Sequence, residues 1–277
     1  MVSGKTKLAG VIGWPVSHSK SPVLHGHWLA RYGIDGIYLP LAVQPDMLEQ
    51  ALRALPVMGF EGANVTVPHK ETALEICDDV DDAAKRIGAV NTIRVREDNS
   101  LYGWNTDCEG FRRNLETESK WKATDGPAVV LGAGGASRAV LAALVDAGCP
   151  EVRLVNRTRE KAEAAAVAIG GPIQVLGFED VASGLDGAAL LVNTTSMGMV
   201  GQPPLDIDLD ALPKSAVVTD IVYAPLETPL LAEARKRGNP AVDGLGMLLH
   251  QAAPGFAAWF GKEPVVDREL RDAVLAA

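Results

Sequence analysis

The chain has 277 residues, 47% hydrophobic, 22% charged and 5% aromatic. That is an ordinary globular composition, long enough for two domains and without a disorder signature. The formal net charge of −9 argues against a nonspecific nucleic-acid binder, which needs a basic face, yet leaves room for a small anion held by local positive groups. Cys77, Cys108 and Cys149 form no close-set metal pattern, so no metal site is expected, and an odd count fits a reduced cytosolic protein better than a disulfide framework. The opening MVSGKTKLAGVIGWP does not read as a signal peptide, and no apolar run approaches the ~20 residues of a membrane span.

In chain order, KLAGVIG reads as a buried strand. Leu24, Trp28 and Tyr32 then recur at i, i+4 and i+8, one face of a helix, with Ser21 suited to the N-cap, Pro22 to the first turn and Gly33 to the stop. YLPLAV is a second strand, residues 45–55 a second helix, GANVTV a third strand, and the acidic, Ala-rich residues 71–86 a helix. AVNTIRVR and LYGWNT flank the turn EDNS as a hairpin. Residues 108–120 form a connecting helix, and ATDGP breaks the pattern. A second series follows: strand AVVL, helix ASRAVLAALVDAG, strand EVRLVN, helix REKAEAAAVAIG, then strands IQVLGF, ALLVN and AVVTDIV. Thr228 and Pro229 cap and open a further helix, and residues 245–277 read as helical with breaks at Pro254 and Pro264. Strands separated by single helices imply an α/β architecture with a parallel sheet and right-handed crossovers.

The strongest local signal is VVLGAGGASRAV. A strand ends at Leu131, Gly132, Gly134 and Gly135 follow, and a helix opens at once. Glycines permit a sharp turn and close approach of a pyrophosphate, to which a helix N-terminus offers N–H groups and a positive dipole end. Ser137 stands where the third glycine of the dinucleotide fingerprint falls. An NAD site places an acid at the end of the next strand, but here the chain reads Asn156, Arg157, Thr158, Arg159. A guanidinium suits the extra 2′-phosphate of NADP, so NADP is favoured over NAD.

GANVTVPHK puts Lys70 just past a strand end, Asp107 lies past another in GWNTDCEG, and Asn91 begins VNT. Parallel sheets collect ligands at the carboxyl ends of their strands. A lysine beside a carboxylate can hold a substrate hydroxyl and give a proton to an oxygen that becomes alkoxide. Each residue alone is equally at home on a solvated surface, and spacing does not choose between the two. In SHSKSP, Ser19 and Ser21 could bind a carboxylate at a helix start, or Ser21 could be a plain N-cap.

Taken in order, GWPVSHSKSP, NVTVPHK, GAVNT, NTDCEGF, GAGGASRAV, NRT, NTTSMGM and DGLGMLLHQ resemble the shikimate dehydrogenase family over nearly the whole chain. The resemblance implies a two-domain α/β fold. A substrate-binding and catalytic domain spans residues 1–107 with 243–277, and a Rossmann-type NADP(H)-binding domain spans 108–242. The C-terminal helices return to the first domain. It further implies NADPH-dependent reduction of 3-dehydroshikimate to shikimate in the cytoplasm, on the route to chorismate and aromatic amino acids, by a monomer or homodimer with no nucleic-acid or membrane partner.

Carried over position by position, Lys70 is the acid–base residue and Asp107 its partner, the two being expected to meet at the substrate. Ser19 and Ser21 bind the substrate carboxylate, and Thr66, Asn91, Asp107 and Gln251 its ring hydroxyls. Gly132, Ala133, Gly134, Gly135 and Ala136 cradle the pyrophosphate, and Asn156, Arg157, Thr158 and Lys161 surround the 2′-phosphate. Ile221, Tyr223 and Gly244 line the nicotinamide end, with Tyr223 also near substrate and Asp82 touching cofactor. Met197 is read as a packing contact and His69 as a packed or solvated ring, while His18, His25, His27 and His250 form no metal constellation. Rival readings are a quinate or aminoshikimate dehydrogenase, NAD-linked or not, and a non-catalytic NADP-binding regulator.

Overall fold

The computed structural model of the chain describes residues 2–277. The chain divides into two compact units, one running up to Thr106 and resuming at Gln251–Ala277, the other formed by Asp107–His250.

The first unit opens with β1 (Lys7–Gly13), α1 (Ser21–Arg31), β2 (Gly36–Ala42), α2 (Leu48–Ala54) and β3 (Phe60–Val65). It continues with α3 (Lys70–Ile76), β4 (Asp79–Val80), α4 (Asp82–Ile87), β5 (Thr92–Val95) and β6 (Leu101–Trp104). The sheet order is β2-β1-β3-β5-β6-β4. β1 runs parallel to β2 and β3, whereas β5 is antiparallel to β3 and to β6. One face is covered by Leu48, Leu52 and Leu55 packed with Ile12, Val65 and Ile93. Trp28, Phe256 and Trp259 are fully buried, and His25 stacks on Tyr38 with ring centroids 3.9 Å apart. Burial drives the His25 imidazole down to about 3, against a smaller opposing effect of Asn64, so it is a neutral core ring.

The second unit holds α5 (Asp107–Glu118), β7 (Ala128–Leu131), α6 (Gly135–Asp146), β8 (Val152–Val155), α7 (Arg159–Ile169) and β9 (Ile173–Leu176). Then come α8 (Val181–Leu185), β10 (Leu190–Asn193), β11 (Val217–Asp220), α9 (Pro229–Arg237) and β12 (Ala241–Val242). Its sheet, ordered β12-β11-β10-β7-β8-β9, is parallel at every pairing. The chain moves outward from β7 through β8 to β9, then returns to β7's other side with β10. The switch point of this doubly wound, Rossmann-type sheet therefore lies between β7 and β10. β7 and β10 are buried along their whole length, as strands covered by helices on both faces must be. α10 (Leu245–Phe260) contains the boundary between the units, and α11 (Arg268–Ala276) closes the chain within the first. Among the described residues, no helix is long and apolar enough to cross a membrane.

Several local expectations are corrected. The span 71–86 is not one helix, because β4 interrupts it. Asp78 exchanges bonds with Leu101, its N–H donating to the Leu101 carbonyl and its carboxylate accepting from the Leu101 N–H at 2.7 Å. Asp81 then N-caps α4 by accepting from Ala84 N at 2.7 Å. Ser21 is the first residue of α1 rather than its cap, a place taken by Lys20 without a side-chain bond. The helix expected over 45–55 starts as a 3₁₀ turn, Pro45–Met47. Pro254 does not break α10, although proline removes one ladder bond. Ala252, Phe256 and Trp259 around it are fully buried, and that packing outweighs local propensity.

Candidate functional site

In the first unit the polar residues gather at the carboxyl ends of β1 and β3. β3 delivers Asn64 inside the sheet and Thr66 just beyond it. Asn64 lies opposite Thr92 in the antiparallel register, and its Nδ2 donates to Thr92 Oγ1 at 3.1 Å and to the Asn91 carbonyl at 3.2 Å. Tyr38 OH donates to Asn64 Oδ1 at 2.6 Å. Burial pushes the Tyr38 phenol well above its ordinary pKa, opposed by the Ser21 hydroxyl, so Tyr38 acts only as a neutral donor and acceptor.

Asn91 is the centre of this group. Its Oδ1 accepts from Thr92 Oγ1 at 2.9 Å and from Thr106 N at 2.9 Å, and its Nδ2 donates to Thr106 Oγ1 at 3.0 Å. Thr106 Oγ1 in turn donates to Gln251 Oε1 at 3.3 Å, and Asn91 Nδ2 reaches the same oxygen at 3.5 Å. Asn91 and Gln251, far apart in sequence, are thus held in one network with fixed amide orientations. Thr106 N–H can only donate, so it also fixes which end of the Asn91 amide faces it.

Thr66 donates its N–H to the Ile12 carbonyl and accepts from His69 N. Gly13 beside it has no room for a side chain, because a Cβ there would strike the Thr66 methyl. His69 is packed: its ring bonds the Val43 carbonyl at 2.8 Å through Nε2. Lys70 follows as the first residue of α3, and its carbonyl accepts from Val90 N at 2.9 Å, which ties the residue's backbone to the segment leading into Asn91. Ser19 and Ser21 lie at the start of α1, and Ser19 Oγ accepts from Ser21 N at 3.3 Å. Asp82 sits on the exposed start of α4, paired with Lys85 at 3.6 Å.

In the second unit the glycine loop joins β7 to α6. Gly132 has φ of +102°, and a Cβ there would lie 2.9 Å from both Thr194 Oγ1 and the Thr195 methyl, so this position requires glycine. A Cβ on Gly134 or Gly135 would meet nothing within 4 Å. The α6 N-terminus carries no side-chain cap. Open space above bare backbone, facing uncapped N–H groups, fits a pyrophosphate. Ser137 is fully buried and donates its hydroxyl to the Gly132 carbonyl, so the departure from the glycine fingerprint closes the loop internally. Ala133 and Ala136 flank these residues.

Past β8, Asn156 Nδ2 donates to the Thr158 carbonyl at 2.7 Å, shaping the turn that carries Arg157. Arg159 is engaged by Glu163 at 2.8 Å. Arg157 and Lys161 are exposed and, among the described residues, form no ion pair, so two uncommitted cations stand by one strand end. Past β11, Ile221 donates its N–H to the Asn193 carbonyl at 3.1 Å. A Cβ on Gly244 would collide with the Ile221 carbonyl, so these two positions touch through backbone. Tyr223 is half-buried, which raises its phenol pKa.

Asp107 opens α5 and is buried at 8% exposure. It directly follows Thr106 in the chain. Asn64, Thr92 and Thr106 escaped sequence reasoning, as did Asn193 and Asp220 in the second unit. For Asn64 a signal existed: a polar amide between Ala63 and Val65, in the apolar inner part of a strand, has to find a partner.

Three family models match the chain: the Shikimate dehydrogenase substrate binding domain over residues 11–93, Shikimate / quinate 5-dehydrogenase over 115–200, and the Shikimate 5′-dehydrogenase C-terminal domain over 244–268. A shikimate dehydrogenase (NADP(+)) from Paramagnetospirillum magneticum is 61% identical over 276 residues, 99% of this chain and 100% of that protein. The shikimate 5-dehydrogenase of Thermus thermophilus, solved in complex with NADP(H) and shikimate, superposes with a TM-score of 0.88 at 36% identity, covering 98% of this chain and 99% of that one. The quinate dehydrogenase of Corynebacterium glutamicum, in complex with NAD, gives a TM-score of 0.91 at 31% identity, covering 98% and 99%.

Proposed function

The chain belongs to the shikimate dehydrogenase family, and on that basis we propose that Lys70 and Asp107 serve as the acid–base residue and its carboxylate partner in reducing 3-dehydroshikimate to shikimate. The reaction is NADPH-dependent and belongs to the shikimate pathway. NADPH, when bound, supplies the hydride that reaches C3 of the substrate. Lys70 gives a proton to the C3 oxygen as negative charge develops there, and takes it back in the reverse direction. Asp107 holds the same hydroxyl.

Ser19 and Ser21 take the substrate carboxylate at the start of α1, and Thr66, Asn91 and Gln251 take ring hydroxyls. Gly132 to Ala136 receive the pyrophosphate, and Asn156, Arg157, Thr158 and Lys161 the 2′-phosphate. Ile221, Tyr223 and Gly244 line the nicotinamide end, Tyr223 also nears substrate, and Asp82 makes an outlying cofactor contact. The substrate domain comprises 1–107 with 243–277 and the NADP domain 108–242. The enzyme works in the cytoplasm as a monomer or homodimer, without nucleic-acid or membrane partners.

The observation that carries the substrate assignment is the Asn91–Thr106–Gln251 network. Amide dipoles held in place by neighbouring side chains limit the reorganisation needed when a hydroxylated ligand exchanges with the weakest of these bonds, Asn91 Nδ2 to Gln251 Oε1 at 3.5 Å. The test is a spectrophotometric assay with NADP⁺ against shikimate and quinate, repeated with NAD⁺. Shikimate with NADP⁺ is expected to be the preferred pair. Turnover confined to quinate with NAD⁺ would overturn the reading in favour of the quinate dehydrogenases.

A further inference from the structure

Asp220 ends β11 with no exposed surface. Its Oδ1 accepts from Asn193 Nδ2 at 2.9 Å and from Val222 N at 3.0 Å, and its Oδ2 accepts from Thr228 Oγ1 at 2.8 Å. The donors come from three separate segments: the end of β10, the loop after β11, and the N-cap of α9. Among the described residues no cation pairs with this carboxylate, and burial raises its pKa against the pull of those three bonds. A buried carboxylate met only by neutral donors is a costly choice for stability alone. A fully satisfied network of this kind specifies one arrangement of the groups around it.

The same network runs back to the phosphate loop. Asn193 Oδ1 accepts from Thr195 N at 3.0 Å and Thr195 Oγ1 at 2.8 Å. Thr194 Oγ1 donates to the Leu131 carbonyl at 2.6 Å, and Thr194 and Thr195 abut Gly132. The path therefore leads from the loop after β7, through β10's end, to Asp220 and on to Val222, which lies between Ile221 and Tyr223. A dinucleotide at this switch point has its adenosine half toward β8, where Arg157 stands, and its other half toward β10 and β11.

We propose that Asp220 is a positioning residue that sets the loop after β11 relative to the phosphate loop, and thereby the resting place of the nicotinamide half once the adenosine half is held. The proposal rests on the reading that Ile221 and Tyr223 line the nicotinamide end. It does not give Asp220 contact with either ligand. Its signature is a split between binding of the two halves, which simple loss of fold would not produce.

The test uses full-length Asp220→Ala and Asp220→Asn, with calorimetric affinities for 2′,5′-ADP (which carries only the adenosine half) and for NADP⁺, beside kcat for shikimate oxidation. Asp220→Ala should bind 2′,5′-ADP like the parent, bind NADP⁺ more weakly, and lose about 10- to 100-fold in kcat, as misplacement of a reacting group does. Asp220→Asn keeps the Oδ1 acceptor and should lose less. Parental kcat in Asp220→Ala, or 2′,5′-ADP affinity falling in step with kcat, overturns the proposal. If Asp220→Ala does not fold, Thr228→Val and Thr228→Ser decide. The first removes the Oδ2 partner and should lower kcat with 2′,5′-ADP binding intact, and the second should restore it. Equal kcat in both variants and the parent overturns the idea. An error in the underlying reading would show separately, as Tyr223→Ala in an otherwise parental chain leaving both NADP⁺ affinity and kcat unchanged.

Discussion

The two units present different kinds of atoms at their strand ends. In the first, a mixed sheet brings side-chain amides and hydroxyls together: Asn64, Asn91, Thr92, Thr106 and Gln251 orient one another by direct bonds. In the second, an all-parallel sheet offers mainly backbone, an uncapped helix start and glycines with open space above them. A hydroxylated carbocyclic acid has to be distinguished by the direction of each hydroxyl, which only placed side chains can read. A pyrophosphate needs only N–H groups and room. The first site should therefore be sensitive to single side-chain deletions, and the second to added bulk or lost charge.

The largest effect should come from Lys70→Ala. Losing a general acid costs about 10²- to 10⁴-fold in kcat, with both KM values near the parent's, because the donor matters once charge develops. Steady-state kinetics checks this, and near-normal turnover would remove Lys70 from its role. Arg157→Ala should follow, raising the KM for NADPH about tenfold or more, the worth of one charge-assisted hydrogen bond, while sparing NADH. Equal losses with both cofactors would break the 2′-phosphate argument. Asn91→Ala leaves the Thr106 N–H without its acceptor and should lower stability by about 1–3 kcal/mol, seen in denaturant melts, together with a raised KM for shikimate. Gly132→Ala puts a Cβ against Thr194 and Thr195 at positive φ, costing about 1 kcal/mol or more.

The smallest effect concerns Asp267. It caps α11 by accepting from Leu270 N and pairs with Arg31 at 2.7 Å, and these two contacts hold its carboxyl below the ordinary range. A depressed carboxylate pKa stabilises the fold above the unfolded value of about 3.9, and the benefit fades as pH falls through the folded value. The melting temperature of Asp267→Asn should thus lie below the parent's at pH 7 and converge with it under acid. A gap that stays constant with pH would contradict the assignment.

This contrast also explains what could be read from the sequence. The phosphate loop is legible because its parts are contiguous: strand, Gly132, Gly134, Gly135, helix. Arg157 is legible because a strand end is easily located. The amide–hydroxyl network of the first unit is not, since Asn64 meets Thr92 only through an antiparallel register and Gln251 reaches Thr106 only after the chain has passed through the whole second unit. Among the elements, β4 was missed because two residues carry no periodicity, and what makes them a strand is pairing with Tyr102 and Gly103, distant in sequence. Continuity of α10 through Pro254 was missed because local propensity says nothing of the burial of Phe256 and Trp259.

A crossed calorimetric titration puts the division of labour between the two units to the test. Asn91→Ala and Arg157→Ala are each titrated with shikimate and with NADP⁺. Asn91→Ala should lose affinity for shikimate alone, and Arg157→Ala for NADP⁺ alone. Either variant weakening both ligands to the same degree would contradict that division.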